Sequence, residues 1–326
     1  MSRQLKIAIV GTGAWGSAMA KLLFRKYRRS ENEIFLLARD KQRLKAIAAQ
    51  NSSDLPFCSI LVSDLKILKS ADAIILAIPT IYLRERLYKL RSFITDKPIL
   101  NTSKGIEKGF NFAHDILNEA ADVPFERFSQ LSGPNFADEV ANFLPAASVV
   151  ASKDEKLAIF FQELLSSESF RVYRSDDPVG VELTGALKNI YAIASGVSDG
   201  LGLGNNSRAA ILTRALAEIK RIGKLFNVKQ ETLFGLSGVG DLFLTSTSKQ
   251  SRNYRVGFAL AKNKRINLGK GVAEGVWSAK AVFEFAEANN LYMPIAKAVY
   301  QLIYEGKEPY KMAMSLMHKP LKREDL

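Results

Sequence analysis

Residues 5–16 read LKIAIVGTGAWG, and this stretch decides the fold. A short apolar run leads into three glycines at the spacing G-x-G-x-x-G, and the residues that follow have the apolar periodicity of a helix. Strand, glycine turn and helix in this order are the fingerprint of a dinucleotide-binding fold. We predict that Gly11 permits the tight turn, Gly13 lets backbone approach a pyrophosphate, and Gly16 lets the helix pack closely.

The end of the second predicted strand bears on which dinucleotide is bound. Residues 36–43 read LLARDKQR. Arg39 can pair with a 2′-phosphate, which favours NADP, whereas Asp40 can bond a ribose diol, which leaves NAD open. The same stretch is also typical of an ordinary solvated helix start capped by Asp40.

Alternating strand and helix patterns continue to residue 178, and mainly helical patterns follow. This arrangement is typical of a doubly wound parallel sheet. We therefore predict an α/β protein: an N-terminal doubly wound Rossmann-type sheet that binds the dinucleotide (residues 1–178), followed by an all-α C-terminal domain that carries substrate and catalytic groups (residues 179–326). The predicted strands are 5–10, 33–38, 71–78, 98–102, 128–131, 146–151 and 170–174.

Composition narrows the class of ligand and the compartment. The formal charge is +13, and the basic residues do not form long runs, so we expect a small phosphorylated ligand. The chain has no zinc-ligand spacing and no RNA-binding aromatic motif, so we expect neither a metal nor nucleic acid. One cysteine suits a reducing compartment, and no run is apolar enough to span a bilayer, so we predict a cytoplasmic protein. Neither of its two histidines lies in a motif, which favours lysine or a carboxylate for proton transfer.

Lys188 lies in an otherwise apolar helical pattern, GVELTGALKNIYAI at residues 180–193. A helix apolar on nearly all sides is usually buried. Burial would lower the pKa of this lysine and make it usable as an acid–base group near neutral pH. The alternative is a lysine whose ammonium reaches the surface.

Two later stretches offer a carboxylate and a set of anion-binding donors. Asp241 follows a glycine-rich turn, where it could equally be a helix N-cap. Ser251, Arg252 and Asn253 precede a helical segment and together offer hydroxyl, guanidinium and amide donors, which suit a phosphate. An ordinary helix cap is the alternative for this run.

Taken together, these stretches resemble the bacterial-type NAD(P)-dependent glycerol-3-phosphate dehydrogenase family, from end to end of the chain. The motifs that carry the resemblance are GTGAWG at 11–16, NTSKGIE at 101–107, LSGPNFADEV at 131–140, FRVY at 170–173, GVELTGALKNIYAI at 180–193, SGVGDLFLT at 237–245, QSRNYRVG at 250–257 and GVAEGVWSAK at 271–280.

The resemblance implies reduction of dihydroxyacetone phosphate to sn-glycerol 3-phosphate for phospholipid synthesis, the reverse reaction, and a homodimer. It makes Lys188 the acid–base group, with Asp241 and Lys104 also catalytic. The substrate contacts that it implies are Lys104, Gly133, Asn135, Lys188, Asp241, Ser251, Arg252 and Asn253. The cofactor contacts predicted from the glycine loop, from Arg39 and from the resemblance are Gly11, Gly13, Ala14, Trp15, Gly16, Arg39, Lys104, Ala137, Arg252, Val272 and Glu274.

One departure and two alternatives accompany this interpretation. Family members usually carry serine or threonine where this chain has Asn135, so we expect altered geometry at that contact. A related β-hydroxyacid dehydrogenase of the 6-phosphogluconate type would share the overall plan and a catalytic lysine. A non-catalytic NADPH sensor would need the glycine loop but neither Lys188 nor the Ser251–Asn253 run.

Overall fold

The computed structural model describes residues 4–39, 42, 59–264, 273–318, 320–321 and 323–324. The chain forms two compact units. The first contains Met1–Ser103 and Ala113–Pro178, and the second contains Lys104–Phe112 and Val179–Leu326.

The first unit is built on a mixed sheet of eight strands, counted over the described residues, in the order β3-β2-β1-β4-β5-β6-β7-β8. Its strands are β1 Lys6–Val10, β2 Glu33–Leu37, β3 Ser59–Val62, β4 Ala73–Leu76, β5 Ile99–Asn101, β6 Phe128–Ser132, β7 Ala146–Ser152 and β8 Phe170–Ser175. Strands β1 to β6 are parallel, in the order of a doubly wound dinucleotide-binding fold. The predicted fold class is confirmed.

Two features of this sheet differ from the sequence-based prediction. Strand β3 was not predicted. Strand β7 runs antiparallel to β6, with Leu131 opposite Val150, so the sheet is not wholly parallel. Residues 133–145 join the end of β6 to the start of β7 at the same end of the sheet, so the chain makes no crossover between these two strands.

The central strand is buried on both faces, as its uninterrupted apolar run predicts. Ile7 and Ile9 pack into one apolar cluster with helices on that side, and Ala8 and Val10 pack into a second cluster on the other side. The helices of this unit are α1 Ala14–Tyr27, α2 Ile67–Ser70, α3 Thr80–Ile94, α4 Ala113–Ala121, α5 Ala137–Ala141 and α6 Glu155–Leu165.

The second unit is helical. Its helices are α7 Pro178–Leu201, α8 Gly204–Gly223, α9 Gln230–Phe234, α10 Asp241–Thr247, α11 Arg252–Ala261, α12 Glu274–Ala288, α13 Pro294–Tyr304 and α14 Pro309–Met317. Helix α7 is buried along most of its length, as its apolar sequence predicts. Of the helices that the structure describes, none has the length and apolar character required to cross a membrane.

The segment Lys104–Phe112 belongs to the helical unit, although it lies within the first half of the sequence. Its apolar side chains explain this placement. Phe110 stacks on Phe285 with ring centroids 3.9 Å apart and on Phe226 at 5.4 Å, and Ile106 lies in the same buried core. A single division at residue 178 does not capture this segment.

Candidate active site

The glycine loop of the first unit is shaped by close backbone contacts. Gly11 has a φ of 120°, and a Cβ there would lie 2.4 Å from the carbonyl oxygen of Ala77. A Cβ on Gly16 would lie 1.9 Å from the carbonyl oxygen of Gly11. Neither position can therefore carry a side chain without moving backbone, which keeps the start of α1 against the ends of β1 and β4.

The surroundings of Gly13 fit a phosphate-bearing ligand. A Cβ on Gly13 would meet no atom within 4 Å, so the space beside it is open. Helix α1 begins directly after this residue, with no side-chain cap and no acidic residue in its first turn. Its N–H groups and positive dipole end therefore suit the pyrophosphate of a dinucleotide. Ala14 and Trp15 form this turn, and the buried indole Nε1 of Trp15 has no hydrogen-bond partner among the described residues.

The other predicted cofactor positions are placed as follows. Arg39 is exposed and follows the carboxyl end of β2, which is the same sheet edge as the glycine loop. Ala137 is the first residue of α5, which follows β6. Asp40 and Val272 lie outside the described residues.

The loop after β6 is fixed against strand β7. Gly133 has a φ of 154°, and a Cβ there would lie 2.9 Å from the Cα of Ser148. The amide of Asn135 donates to the carbonyl of Ala147 (3.0 Å) and accepts from the hydroxyl of Ser148 (2.7 Å). Both ends of this amide are therefore engaged in holding the loop, and serine or threonine could not make both contacts in the same way.

In the helical unit, Lys188 is buried in α7 beside a carboxylate and a hydroxyl from α10. Its Nζ donates to Oδ1 of Asp241 (2.7 Å) and to Oγ1 of Thr245 (2.7 Å). Only 7% of Lys188 and 1% of Asp241 are exposed. Asp241 begins α10, but its carboxylate serves lysine partners and makes no N-cap contact.

The second oxygen of the same carboxylate binds another lysine. Nζ of Lys104 donates to Oδ2 of Asp241 (2.7 Å), and the backbone N–H of Lys104 donates to Glu274 (3.3 Å). The helical unit thus brings together two predicted ammonium groups and two carboxylates: Lys104, Lys188, Asp241 and Glu274.

This arrangement shifts the proton affinities of the buried groups. Burial lowers the pKa of Lys188 to about 8, although the neighbouring Asp241 carboxylate acts to raise it and Lys104 acts to lower it. Burial alone would raise the pKa of Asp241, but the charges of Lys104 and Lys188 outweigh burial and hold this pKa below its usual value. A buried ammonium with a pKa near 8 can both give and accept a proton near neutral pH.

The three predicted phosphate donors have different surroundings. Ser251 caps α11 by accepting from the backbone N–H of Tyr254 (3.2 Å), whereas Arg252 is exposed. Asn253 is buried, and its amide donates to Asn189 (2.8 Å) and accepts from the backbone N–H of Gly275 (3.0 Å). Residues 251–253 therefore form the start of a helix, which was the alternative interpretation of this stretch. They also place a hydroxyl, a guanidinium and an amide close together.

Thr245 and the structural role of Asn189 were missed by sequence reasoning. Thr245 lies four residues after Asp241, so both face the same side of α10, and this spacing could have identified it. Asn189 follows Lys188 directly, but its contact with the carbonyl of Lys104 (2.8 Å) joins residues 85 positions apart. No local pattern reveals such a contact.

Comparison with known proteins places the chain in a family. The sequence profile of the NAD-dependent glycerol-3-phosphate dehydrogenase N-terminus matches residues 6–158, and that of the C-terminus matches residues 177–314. A glycerol-3-phosphate dehydrogenase (NAD(P)+) of Thermotoga sp. (strain RQ2) is 38% identical over 329 residues, which cover 98% of this chain and 99% of the relative. A protein of the same name from Carboxydothermus hydrogenoformans is 38% identical over 337 residues, with 98% of both chains covered.

A solved structure agrees. The crystal structure of glycerol-3-phosphate dehydrogenase from Coxiella burnetii matches with a TM-score of 0.90 and 33% identity, over 97% of this chain and 99% of that one. The conclusion is the same from both profiles, from the full-length relatives and from this structure. The chain belongs to the NAD-dependent glycerol-3-phosphate dehydrogenase family.

Proposed function

We propose that this chain transfers hydride reversibly between NAD(P)H and dihydroxyacetone phosphate, giving sn-glycerol 3-phosphate, with Lys188 as the acid–base group. The family is that of an NAD(P)-dependent oxidoreductase. The observation that carries the role of Lys188 is its burial at 2.7 Å from both Asp241 and Thr245.

The protein's own groups handle the proton. When bound, NAD(P)H supplies the hydride for the carbonyl carbon. The ammonium of Lys188 donates a proton to the oxygen that becomes the alcohol, and the neutral amine accepts that proton in the reverse direction. Asp241 holds Lys188 in place and offsets the cost of its burial, while Lys104 adds a positive charge that stabilises the developing alkoxide.

The residues of the first unit support the cofactor role. Gly13 leaves open space at the uncapped N-terminus of α1, where Ala14 and Trp15 form the first turn, and the close contacts of Gly11 and Gly16 fix the loop around it. Arg39 is the candidate for the 2′-phosphate of NADP, and Arg39→Ala should raise the KM for NADPH more than the KM for NADH. Ala137, Arg252, Val272 and Glu274 remain proposed cofactor contacts.

The substrate's phosphate is assigned to Ser251, Arg252 and Asn253, with Gly133 and Asn135 as proposed contacts. The exposed guanidinium of Arg252, beside the start of α11, supports this assignment. Arg252→Ala should raise the KM for dihydroxyacetone phosphate by about tenfold to a hundredfold, since charge-assisted hydrogen bonds contribute about 1.5–3 kcal/mol. An unchanged KM would count against the assignment.

Site of action and assembly complete the proposal. We infer that the protein works in the cytoplasm as a homodimer and supplies glycerol 3-phosphate for phospholipid synthesis. The single cysteine of the chain supports a reducing compartment. Light scattering of the purified protein tests the dimer, and a monomer mass would reject it.

The deciding experiment measures oxidation of NADPH and of NADH with dihydroxyacetone phosphate, for the wild type and for Lys188→Met. The variant should lose turnover by about a hundredfold to ten-thousandfold while cofactor binding persists. Near-normal turnover would refute the role of Lys188. Turnover of 6-phosphogluconate instead would favour the related dehydrogenase, and cofactor binding without turnover would favour a sensor.

A further inference from the structure

Lys104 is held by its backbone as well as by its ammonium group. Its N–H donates to Oε2 of Glu274 (3.3 Å), and its carbonyl accepts from Nδ2 of Asn189 (2.8 Å). A lysine side chain has four flexible carbons, so fixing the backbone limits where its charge can lie. These backbone contacts add to the ion pair with Asp241, which holds the ammonium group itself.

The contact to Asn189 continues into a second side-chain amide. Oδ1 of Asn189 accepts from Nδ2 of Asn253 (2.8 Å), and Oδ1 of Asn253 accepts from the N–H of Gly275 (3.0 Å). Gly275 follows Glu274 in the chain, and Glu274 accepts from the backbone N–H of Lys104. The contacts therefore form a closed ring that starts and ends at Lys104. We call the two side chains of Asn189 and Asn253 the amide relay.

The ring is buried and closely packed. Asn189 is 4% exposed and Asn253 is 8% exposed. A Cβ on Gly275 would lie 2.5 Å from the carbonyl oxygen of Asn189 and 2.8 Å from Oδ1 of Asn253, so only glycine lets the first turn of α12 approach this closely. Buried amides in such a network have few alternative partners, which fixes their orientation.

We propose that the amide relay is a positioning device that fixes Lys104, and with it the charge beside Lys188, relative to the start of α11. This inference rests on the proposed function. Asn253 then acts through Asn189 on Lys104, in addition to any contact with the phosphate. Breaking the relay frees Lys104 to withdraw from the Asp241 carboxylate.

The pH profile of the reduction reports such a change. The charged groups that act on Lys188 are Asp241 and Glu274, which raise its pKa, and Lys104, which lowers it. If Lys104 withdraws, the pKa of Lys188 rises, and the pH at which reduction loses its proton donor rises with it. A phosphate contact alone would change the KM and leave this pH unchanged.

The test compares wild type, Asn189→Ala, Asn253→Ala and the double variant in steady-state reduction of dihydroxyacetone phosphate by NADPH across pH. We expect each single variant to lose about tenfold in kcat, the factor that corresponds to about 1.4 kcal/mol. We also expect both to move the high-pH midpoint upward, and the double variant to be no worse than the worse single variant, since both break one relay.

Ser195→Ala is the matched control. Ser195 lies on the same helix and is buried, and its hydroxyl donates to the carbonyl of Ser246 (2.7 Å), outside the ring. This variant should lose stability without a change in the pH midpoint. Should Asn253→Ala fail to fold, Asn253→Ser carries the same comparison.

Two results would overturn the proposal: a wild-type midpoint in Asn253→Ala with only the KM raised, or additive losses in the double variant. If the wild type itself does not turn over dihydroxyacetone phosphate, the proposed function fails first. The two failures are therefore distinguishable.

Discussion

Asp241 and Glu218 are both buried carboxylates of the helical unit, but their surroundings compensate them differently. Asp241 lies between the ammonium groups of Lys104 and Lys188. Glu218 accepts from the backbone N–H groups of Ile295 (2.6 Å) and Ala296 (3.1 Å) and from the hydroxyl of Tyr191 (3.2 Å). Asp241 is paired with two cations. Glu218 accepts hydrogen bonds from neutral donors, two of which are backbone N–H groups at the start of α13.

The proton affinities follow from this difference. The two cations hold the pKa of Asp241 below its usual value, whereas burial raises the pKa of Glu218 to about 7 despite its three donors. Two carboxylates that are buried to a similar extent therefore behave differently: Asp241 stays charged near neutral pH, whereas Glu218 titrates there. Each of the following predictions tests whether this division holds between a carboxylate proposed for the active site and a carboxylate that only stabilises the fold.

The largest effect is expected for Asp241→Asn. The buried ammonium of Lys188 and the partly exposed ammonium of Lys104 would face each other without their anion. This costs about 3–5 kcal/mol of folding free energy and lowers the pKa of Lys188. We expect kcat to fall about a thousandfold. Steady-state kinetics and thermal denaturation measure both. Glu218→Gln is the matched change, and its kcat should stay within about threefold of the wild-type value. Equal losses of kcat in the two variants would show that the two carboxylates do not differ in function.

The second prediction concerns stability against pH. Glu218 binds its proton more tightly in the folded chain, where burial raises its pKa to about 7, than in the unfolded chain, where the ordinary glutamate pKa is 4.5. Between these values the folded state holds more protons than the unfolded state, so stability is greatest below the lower value and falls as pH rises through about 7. The loss is about 3 kcal/mol.

Urea denaturation at pH 5 and pH 8 measures most of this loss, because pH 5 lies only slightly above the lower pKa. In Glu218→Gln the part due to this carboxyl should vanish. A variant that keeps the full wild-type difference between the two pH values would assign the effect to other groups.

A smaller effect is expected for Thr245→Val. The hydroxyl of Thr245 accepts from Lys188 and donates to Asp241 (3.2 Å), and valine keeps the shape but not these contacts. Loss of such a contact should reduce kcat by about tenfold with little change in KM. A wild-type kcat would show that Asp241 alone orients Lys188.

The smallest effect is expected for Tyr191→Phe, the equivalent deletion beside Glu218. Only one of three donors is lost, so the chain should be destabilised by about 1 kcal/mol at pH 8, where the carboxylate is charged. Denaturant midpoints measure this change. The pH–rate profile should match that of wild type; a shifted profile would mean that Glu218 also influences Lys188.

The sequence predicted the parts of the molecule whose signals are local. The glycine spacing identified the loop at Gly11–Gly16, and apolar runs located most strands because buried parallel strands are apolar throughout. The apolar helix around Lys188 indicated its burial. These inferences need only residues that are neighbours in the chain.

The rest depends on contacts between distant residues. Nothing near Lys104 shows that its segment joins the helical unit, because the phenylalanines that hold it there, Phe226 and Phe285, come more than 100 residues later. The residues around Asp241 likewise give no indication that its carboxylate pairs with two lysines. The antiparallel direction of β7 could not be predicted from the apolar pattern, because periodicity carries no information on strand direction.

The placement of Lys104–Phe112 has a consequence for how the gene can be divided. A fragment expressed from residue 179 onward would lack this insert, so Phe226 and Phe285 would lose the aromatic partner that now covers them. Asp241 would keep one of its two cations. The helical half is thus not a module that can be excised or exchanged at a single junction, and chimeras between relatives would have to carry both pieces together.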